Sequence, residues 1–268
     1  MTFRNWAFSS SSNWGNRCIS RIRCPAPLAS SPLGSNCRDP QVSRSSRSVK
    51  NMRIGIIGAG FIGRAVARLA IQHGDEVMLS NSRHPRTLAS TMVAIGCRIG
   101  TSRDAAEFGD VVVLAVPFFA VREIAADLLA GKTVLDAANY YPQRDGAIED
   151  LDTRSTTTSE MVARHFKSAK IVKAFNAILE KDIEKDSRPA GAADRRALPI
   201  AGDDADAKRS VRDWLDRLGY DAVDAGMLSE GWRFERARPA YCVPLDSGRL
   251  RQKLQDAGTT VAEGSWRK

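Results

Sequence analysis

A glycine-rich turn between a β-branched run and a helical pattern is the feature that most constrains this 268-residue chain. Residues 53–63 read Arg-Ile-Gly-Ile-Ile-Gly-Ala-Gly-Phe-Ile-Gly, so the spacing G-x-G-x-x-G falls between a predicted strand and a predicted helix. There, Gly58 permits a tight turn, Gly60 lets a pyrophosphate approach the backbone, and Gly63 lets the helix pack closely on the strand. The turn predicts a dinucleotide site; a turn without a ligand is the alternative. The predicted contacts are Gly58, Ala59, Gly60, Phe61, Ile62 and Gly63.

Residues 52–225 alternate short β-branched runs with segments of helical spacing, which is typical of a parallel sheet with crossover helices. Strands are predicted at 53–57, 76–79, 97–99, 111–116, 133–135, 170–173 and 198–201. Helices are predicted at 61–74, after Pro85, and at 121–131, 158–166, 205–218 and 250–257, with a long polar connection at 181–197. The patterns predict an α/β fold with a doubly wound, mainly parallel Rossmann-type sheet. A small C-terminal extension, residues 226–268, is expected to close the substrate cleft.

Residues 1–51 differ from the rest in charge and composition. Their seven Arg and one Lys against Asp39 give +7, which leaves only +2 of the chain's net +9 for the remaining residues. This basic, Ser-rich stretch has too little apolar surface to offset the entropy lost on ordering, so we predict a disordered leader. It is either a tail or organelle transit peptide, or an upstream misreading if translation starts at Met52.

Composition also narrows the partners of the body. Its near-neutral charge and lack of basic runs argue against nucleic acid. Cys97 and Cys242 suggest a reducing compartment, and no histidine is spaced with a second ligand as in a metal site. The best apolar run, Val111–Val121, is about half the roughly 20 residues that a membrane helix requires. We therefore predict a cytoplasmic protein with a small-molecule partner and no nucleic acid, membrane or metal.

The end of the second predicted strand indicates which dinucleotide binds. An NAD site usually has Asp or Glu there to hydrogen-bond the ribose 2′-hydroxyl. This chain has Ser80-Asn-Ser-Arg-His84 instead, without a carboxylate. Ser82 and Arg83 offer a hydroxyl and a bidentate cation suited to a 2′-phosphate, so NADP is favoured over NAD. The alternative is a solvated loop.

Two later strand ends add candidates. Val116-Pro117-Phe118-Phe119 follows the fourth strand, where ligands bind in open α/β sheets, and would support the nicotinamide ring or ribose. Alternatively, Pro117 ends a buried strand and both Phe side chains pack in the core. Residues 136–146 follow the fifth strand, and their polar and aromatic side chains would line the cleft, with Asn139 as a hydrogen-bonding group; a packed turn is the alternative. Val116, Pro117 and Asn139 complete the predicted cofactor contacts.

Five segments together resemble the NADPH:coenzyme F420 oxidoreductase family, over about residues 52–245. The segments are 58–63, 80–85, 139–146, Val172-Lys-Ala-Phe-Asn-Ala-Ile178 and Asp224-Ala-Gly-Met-Leu228. The resemblance implies a homodimeric reductase that passes hydride between the nicotinamide C4 of NADP and the deazaflavin of coenzyme F420. It also implies that Ser82 and Arg83 bind the 2′-phosphate. The segment expected to border the deazaflavin comprises Phe175, Asn176, Ala177 and Ile178.

The chain departs from the family's archaeal members after Ala225-Gly226. Met227 and the run Trp232-Arg-Phe-Glu-Arg236 stand where those members usually have Pro or small residues. Two alternatives therefore stay open: an NADPH-dependent reductase of an imine, ketone or flavin, and a non-catalytic NADP-binding sensor. Hydride transfer between cofactors needs positioning more than acid–base chemistry, so no catalytic residue is assigned. Lys173 and Asn176 would be proton donor and orienter for a carbonyl or imine, or else structural.

Overall fold

An eight-stranded sheet runs through the part of the chain that the computed structural model describes, residues 51–258. The predicted leader lies outside this range except for its last residue. The strands are β1 Arg53–Ile57, β2 Glu76–Ser80, β3 Arg98–Gly100, β4 Val111–Leu114, β5 Thr133–Asp136, β6 Lys170–Lys173, β7 Ala197–Gly202 and β8 Asp221–Asp224. Their order in the sheet is β3-β2-β1-β4-β5-β6-β7-β8. The first six are parallel, and β7 pairs antiparallel to β6 and parallel to β8. The predicted Rossmann-type fold is confirmed.

Helices cover both faces of the sheet, which is why the central strands are continuously apolar. All four residues of β4 are buried, and so are the last four of β1. The helices are α1 Phe61–Gln72, α2 Ala89–Ile95, α3 Ser102–Phe108, α4 Pro142–Asp145, α5 Glu149–Asp152, α6 Thr158–His165, α7 Glu180–Lys185, α8 Ala205–Arg217 and α9 Ser247–Gln255. Short 3-10 helices at Pro85–Leu88, Phe118–Glu123 and Leu228–Phe234 complete the described elements.

One predicted helix is wrong. Residues 121–131 form a 3-10 turn and further short turns instead of an α-helix. Val121 and Leu129 are buried, as helical spacing requires, but the backbone is extended at Ile124, with ψ of 132°. The Ile124 carbonyl accepts a bond from His165 Nε2 at 2.8 Å, a tertiary partner in place of the amide four residues on. A contact across 41 residues therefore overrides the local pattern.

Several short elements were not predicted, and α7 and β8 show why. The polar connection at 181–197 begins with α7, whose only buried residue is Ile183. A single apolar position cannot show the helical spacing from which a helix is predicted. The strand β8 has a single buried residue, Val223, and its edge position explains the weak pattern. Residues beyond β8 pack on this side of the sheet, where Phe234 and Leu250 share a buried cluster with β7.

The chain reverses direction across the sheet between β1 and β4. β1 pairs with β2 on one side and with β4 on the other, so the crossovers leave from β1 and β4 toward opposite edges. A crevice opens at the carboxyl ends of strands at such a switch point, and ligands bind there in open α/β sheets. The glycine turn, residues 58–63, follows β1 at this point.

Candidate functional site

The glycine turn has the backbone that a dinucleotide site requires. Gly58 has φ of +112°, and a Cβ there would lie 2.3 Å from the Ala115 carbonyl oxygen. A Cβ on Gly63 would lie 1.9 Å from the Gly58 carbonyl oxygen, so the helix could not approach the strand as it does. The Gly58 amide also donates to the Ser80 carbonyl at 3.0 Å. Glycine is thus fixed at both positions by the fold itself.

Gly60 is glycine for a different reason. It is the N-cap of α1, and a Cβ built on it would meet nothing within 4 Å. The space ahead of this 12-residue helix is therefore open, and amides at a helix N-terminus attract phosphate. The neighbouring Phe61 is 81% exposed, whereas Ala59 and Ile62 are half-buried. The open cradle at Gly60 fits a pyrophosphate.

The loop after β2 presents the predicted 2′-phosphate pair to solvent. Ser80 is buried, while Ser82 and Arg83 are exposed. Asn81 fixes the loop: its Oδ1 accepts from the Arg83 amide at 3.0 Å, and its Nδ2 donates to Thr87 Oγ1 at 3.0 Å. The Arg83 guanidinium forms no ion pair with any residue that the structure describes. An ordered loop with an unpaired cation is suited to a phosphate.

The loop after β3 is a part of the site that sequence reasoning missed. Ser80 pairs with Gly100 in the sheet, and Arg103, the second residue of α3, follows β3 by three positions as Arg83 follows β2. Both loops border a cavity of about 430 Å³ at the switch point. Its lining residues are Ile57, Gly58, Asn81, Ser82, Thr101, Ser102, Arg103, Val116, Ala120, Glu123, Ile124, Ala125 and Leu128. The register of these two parallel strands is the signal that could have indicated Arg103.

The residues after β4 divide between the cavity and the core. Val116 lines the cavity, and Pro117 is exposed beside it. Phe118 is buried edge-on against Tyr140, with ring centroids 6.2 Å apart, whereas Phe119 is 45% exposed. One phenylalanine therefore packs and the other stays open to solvent.

A pair of asparagines joins the loops after β5 and β6. Asn139 Nδ2 donates to the Asn176 carbonyl at 2.9 Å, and Asn176 Nδ2 donates to Asn139 Oδ1 at 3.2 Å. Asn176 Nδ2 also donates to the Phe234 carbonyl at 3.1 Å. These bonds hold together three segments that are far apart in sequence.

The segment predicted to border the acceptor is largely inside the protein. Phe175, Asn176, Ala177 and Ile178 are at most 3% exposed. Phe175 has φ of +58° and packs edge-on against Trp214 and Tyr220. Asn176 ties this buried segment to Asn139, and the segment's role toward an acceptor stays a prediction.

A second cavity, of about 680 Å³, opens beside Asn139. It lies between residues 139–160 and the segment 229–238 that follows β8. Its lining residues are Asn139, Tyr140, Pro142, Gln143, Leu151, Asp152, Arg154, Ser155, Thr156, Thr157, Glu160, Ser229, Trp232, Glu235, Arg236, Ala237 and Arg238. The Arg238 guanidinium lies 4.8 Å from the centre of the Trp232 ring. Burial and the nearby Arg154 lower the pKa of Arg238. The cavity is large enough for a drug-sized ligand.

Charged side chains lie beneath this second cavity. Asp136 and Lys173 are paired in the register of β5 and β6, and both side chains are fully buried. Lys173 Nζ donates to Thr158 Oγ1 at 2.7 Å and to Ser159 Oγ at 3.1 Å, and it lies 3.3 Å from Glu235 Oε1. The Lys173 side chain is fully buried, and its role toward a carbonyl or imine stays a prediction.

The Asp136 carboxylate completes this buried set. Ser159 Oγ donates to Asp136 Oδ2 at 2.5 Å, and the Ala138 amide donates to Oδ1 at 3.0 Å. Burial raises the pKa of Asp136, while Lys173, Ser159 and Ala138 oppose the rise. We call Asp136, Thr158, Ser159, Lys173 and Glu235 the buried hub.

The fold and the turn define a Rossmann-type nucleotide-binding protein, and its β2 loop lacks the carboxylate of an NAD site. Residues 53–140 match the family model described as NADP oxidoreductase, coenzyme F420-dependent. This match covers the glycine turn, the β2 loop and the strands up to β5. The predicted cofactor, NADP(H), is thereby confirmed.

The chain spans only part of the length of two curated relatives that it matches. It is 27% identical to the metalloreductase STEAP3 of Rattus norvegicus over 72% of this chain and 38% of the relative. It is 28% identical to the F420-dependent NADP reductase of Methanocaldococcus jannaschii over 52% of this chain and 63% of the relative. The matched part is thus under two thirds of either relative.

A solved structure from Arthrobacter sp. FB24, which is named with the F420-dependent NADP reductases, superposes on this chain with a TM-score of 0.58. The identity is 26%, over 68% of this chain and 87% of the other. Within residues 51–258, no helix is long and apolar enough to cross a membrane, and no cluster of three or more His, Cys, Asp or Glu side chains could hold a metal ion.

Proposed function

We propose that this protein is an NADPH-dependent oxidoreductase that passes hydride between NADP and coenzyme F420 or a similar acceptor. The observation that carries the proposal is the pairing of two cavities at the carboxyl edge of the sheet. The cavity of about 430 Å³ lies between the glycine turn and the loop of Ser82, and that of about 680 Å³ begins at Asn139. A protein that brings two ligands together needs two such sites.

The first cavity fits the adenosine end of NADP. Gly60 leaves room for the pyrophosphate, and Ser82 with Arg83 supplies a hydroxyl and an unpaired cation for the 2′-phosphate. Apolar Ile124 and Leu128 line the same cavity as Arg103, so an adenine ring would lie between an apolar wall and a guanidinium. NADPH, when bound, supplies the hydride.

The second cavity fits a separate acceptor. Asn139 lines it and is held by Asn176, so the wall nearest the cofactor is fixed by hydrogen bonds. Trp232 and Tyr140 offer aromatic surface for a planar ring. The match of residues 53–140 to the coenzyme F420-dependent family model favours coenzyme F420 as that ring system, and the resemblance favours a homodimer.

Reduction of purified coenzyme F420 by NADPH tests the proposal. We expect the visible absorbance of the deazaflavin to bleach when the protein and NADPH are added, and to bleach far more slowly with NADH. An unchanged spectrum from protein that still binds NADPH would remove coenzyme F420 as the acceptor.

A substrate panel then separates the remaining candidates. NADPH oxidation by an imine, a ketone or a flavin would identify a reductase with another acceptor, for which the large second cavity is the supporting observation. Tight NADPH binding without oxidation by any acceptor would instead indicate a sensor.

A further inference from the structure

The segment 228–238, which we call the cleft wall, forms one side of the second cavity through Ser229, Trp232 and Arg236. It is attached to the protein at Glu235. Glu235 Oε1 accepts from Thr158 Oγ1 at 2.6 Å and from the Thr158 amide at 3.2 Å, and it lies 3.3 Å from Lys173 Nζ. One carboxylate oxygen therefore holds three donors from α6 and β6.

These contacts satisfy groups that the fold leaves without partners. Thr158 is the first residue of α6, so its amide is one of the helix amides with no intrahelical acceptor. Lys173 is fully buried, and its ammonium would be costly without a charged partner. Glu235 supplies both needs from a distant part of the sequence, beyond β8.

The cleft wall is fitted to Lys173 at a second place. A Cβ on Gly231 would lie 2.9 Å from Lys173 Cδ, so glycine lets the backbone lie directly on the lysine stem. The Phe234 carbonyl, adjacent to Glu235, accepts from Asn176, which in turn bonds Asn139. The wall is thereby tied to the loops after β5 and β6.

A buried ion pair often adds little stability compared with well-packed apolar side chains, so we expect this pair to fix an arrangement and not to add stability. We propose that Glu235 and Lys173 are positioning residues that hold the cleft wall at the correct distance from the cofactor cleft. They control how well the acceptor binds and reacts, and they do not affect the affinity for NADP. The inference rests on the proposed function only in taking coenzyme F420 as the acceptor.

The test compares Glu235→Gln with Glu230→Gln in the full chain. Gln keeps the size of Glu235 but removes its charge. Glu230 lies on the same wall and pairs at the surface with Arg233, so its variant is a matched control. Hydrogen exchange of peptides covering 53–63 and 228–238 and titration with NADPH need no acceptor. Steady-state kinetics with coenzyme F420 adds the KM and kcat.

We expect Glu235→Gln to raise amide exchange in the cleft wall by about tenfold and to leave that of the glycine turn unchanged. The Kd for NADPH should change by less than about twofold, and the KM for coenzyme F420 should rise by about tenfold with a smaller fall in kcat. Glu235→Asp should recover part of both effects. Glu230→Gln should match the native protein.

The proposal is overturned if exchange in the cleft wall is the same in Glu235→Gln and Glu230→Gln, or if the Kd for NADPH rises as much as the KM. If the native protein does not reduce coenzyme F420, the assigned acceptor fails, and exchange together with NADPH titration still decides the role of Glu235. If Glu235→Gln does not fold, the double variant Lys173→Met with Glu235→Gln removes both charges of the pair. The proposal then requires that this double variant show the same rise in amide exchange in the cleft wall.

Discussion

The two sides of the switch point use charge in opposite ways. After β2 and β3, Arg83 and Arg103 are exposed, and neither has an ion-pair partner among the described residues. After β5 and β6, Asp136 and Lys173 are fully buried and joined through Ser159. The first arrangement leaves charge available for a ligand, and the second satisfies charge within the protein.

This difference predicts which property each side controls. Removing an exposed, unpaired side chain changes few protein contacts, so ligand affinity should fall while the free energy of unfolding stays the same. Removing a member of the buried hub strands a charged or polar group, so stability should fall first. The predictions that follow are ordered from the largest expected effect to the smallest.

Gly60→Val should have the largest effect. The side chain has room in the free protein, since a Cβ meets nothing within 4 Å, but it would fill the space that we assign to the pyrophosphate. NADPH affinity should fall by about 1000-fold, or about 4 kcal/mol, in a fluorescence titration. The melting temperature should fall by only about 2–4 °C, because Val is a poorer N-cap than Gly. A large loss of stability would show that this side of the site is also structural, and would break the comparison.

Ser159→Ala tests the opposite side. Asp136 Oδ2 and Lys173 Nζ each lose a bonded partner in the interior, so the free energy of unfolding should fall by about 2 kcal/mol in urea. NADPH affinity should not change. The matched control is Ser210→Ala on α8, which removes an exposed hydroxyl that donates to the Asp206 carbonyl, and it should be nearly neutral.

The effect of Ser159→Ala should depend on pH. Burial raises the pKa of Asp136 in the folded protein, and the Ser159 hydroxyl partly opposes the rise. A raised folded pKa stabilises the protonated form, so the contribution of Asp136 to stability declines as pH rises from its unfolded toward its folded pKa. Without Ser159 the folded pKa of Asp136 is higher still, so stability continues to decline up to a higher pH. The loss should therefore be smaller in acid than at neutral pH, and a loss independent of pH would contradict this account.

Local patterns predicted both β1 and β6 at their observed bounds, but they indicated the side-chain arrangement after β1 better than that after β6. β1 was predicted at its observed bounds, because a buried strand before a glycine turn leaves a clear pattern within a few residues. The Ser82-Arg83 loop was found for the same reason. The cofactor, NADP(H), followed from residues within about 25 positions of the turn.

The second cavity depends on contacts that sequence patterns do not contain. Asn139 meets Asn176 across 37 residues, and Thr158 meets Glu235 across 77. Lys173 and Glu235 carry no periodicity or spacing that pairs them, and the antiparallel β7 brings the cleft wall back over β6. The buried hub could therefore be recognised only once the tertiary structure was known.

Arg83→Ala should have the smallest of the three effects, and it tests the cofactor assignment directly. A guanidinium on the 2′-phosphate makes charge-assisted hydrogen bonds, so NADPH affinity should fall by about 15-fold, or about 1.6 kcal/mol. NADH lacks that phosphate, so its affinity should change by less than about twofold. Arg251→Ala on α9 removes an exposed arginine from another part of the protein, and should affect neither dinucleotide. Equal losses for NADPH and NADH would argue against a 2′-phosphate contact. They would mean that Arg83 maintains the conformation of the loop after β2 and does not bind the phosphate.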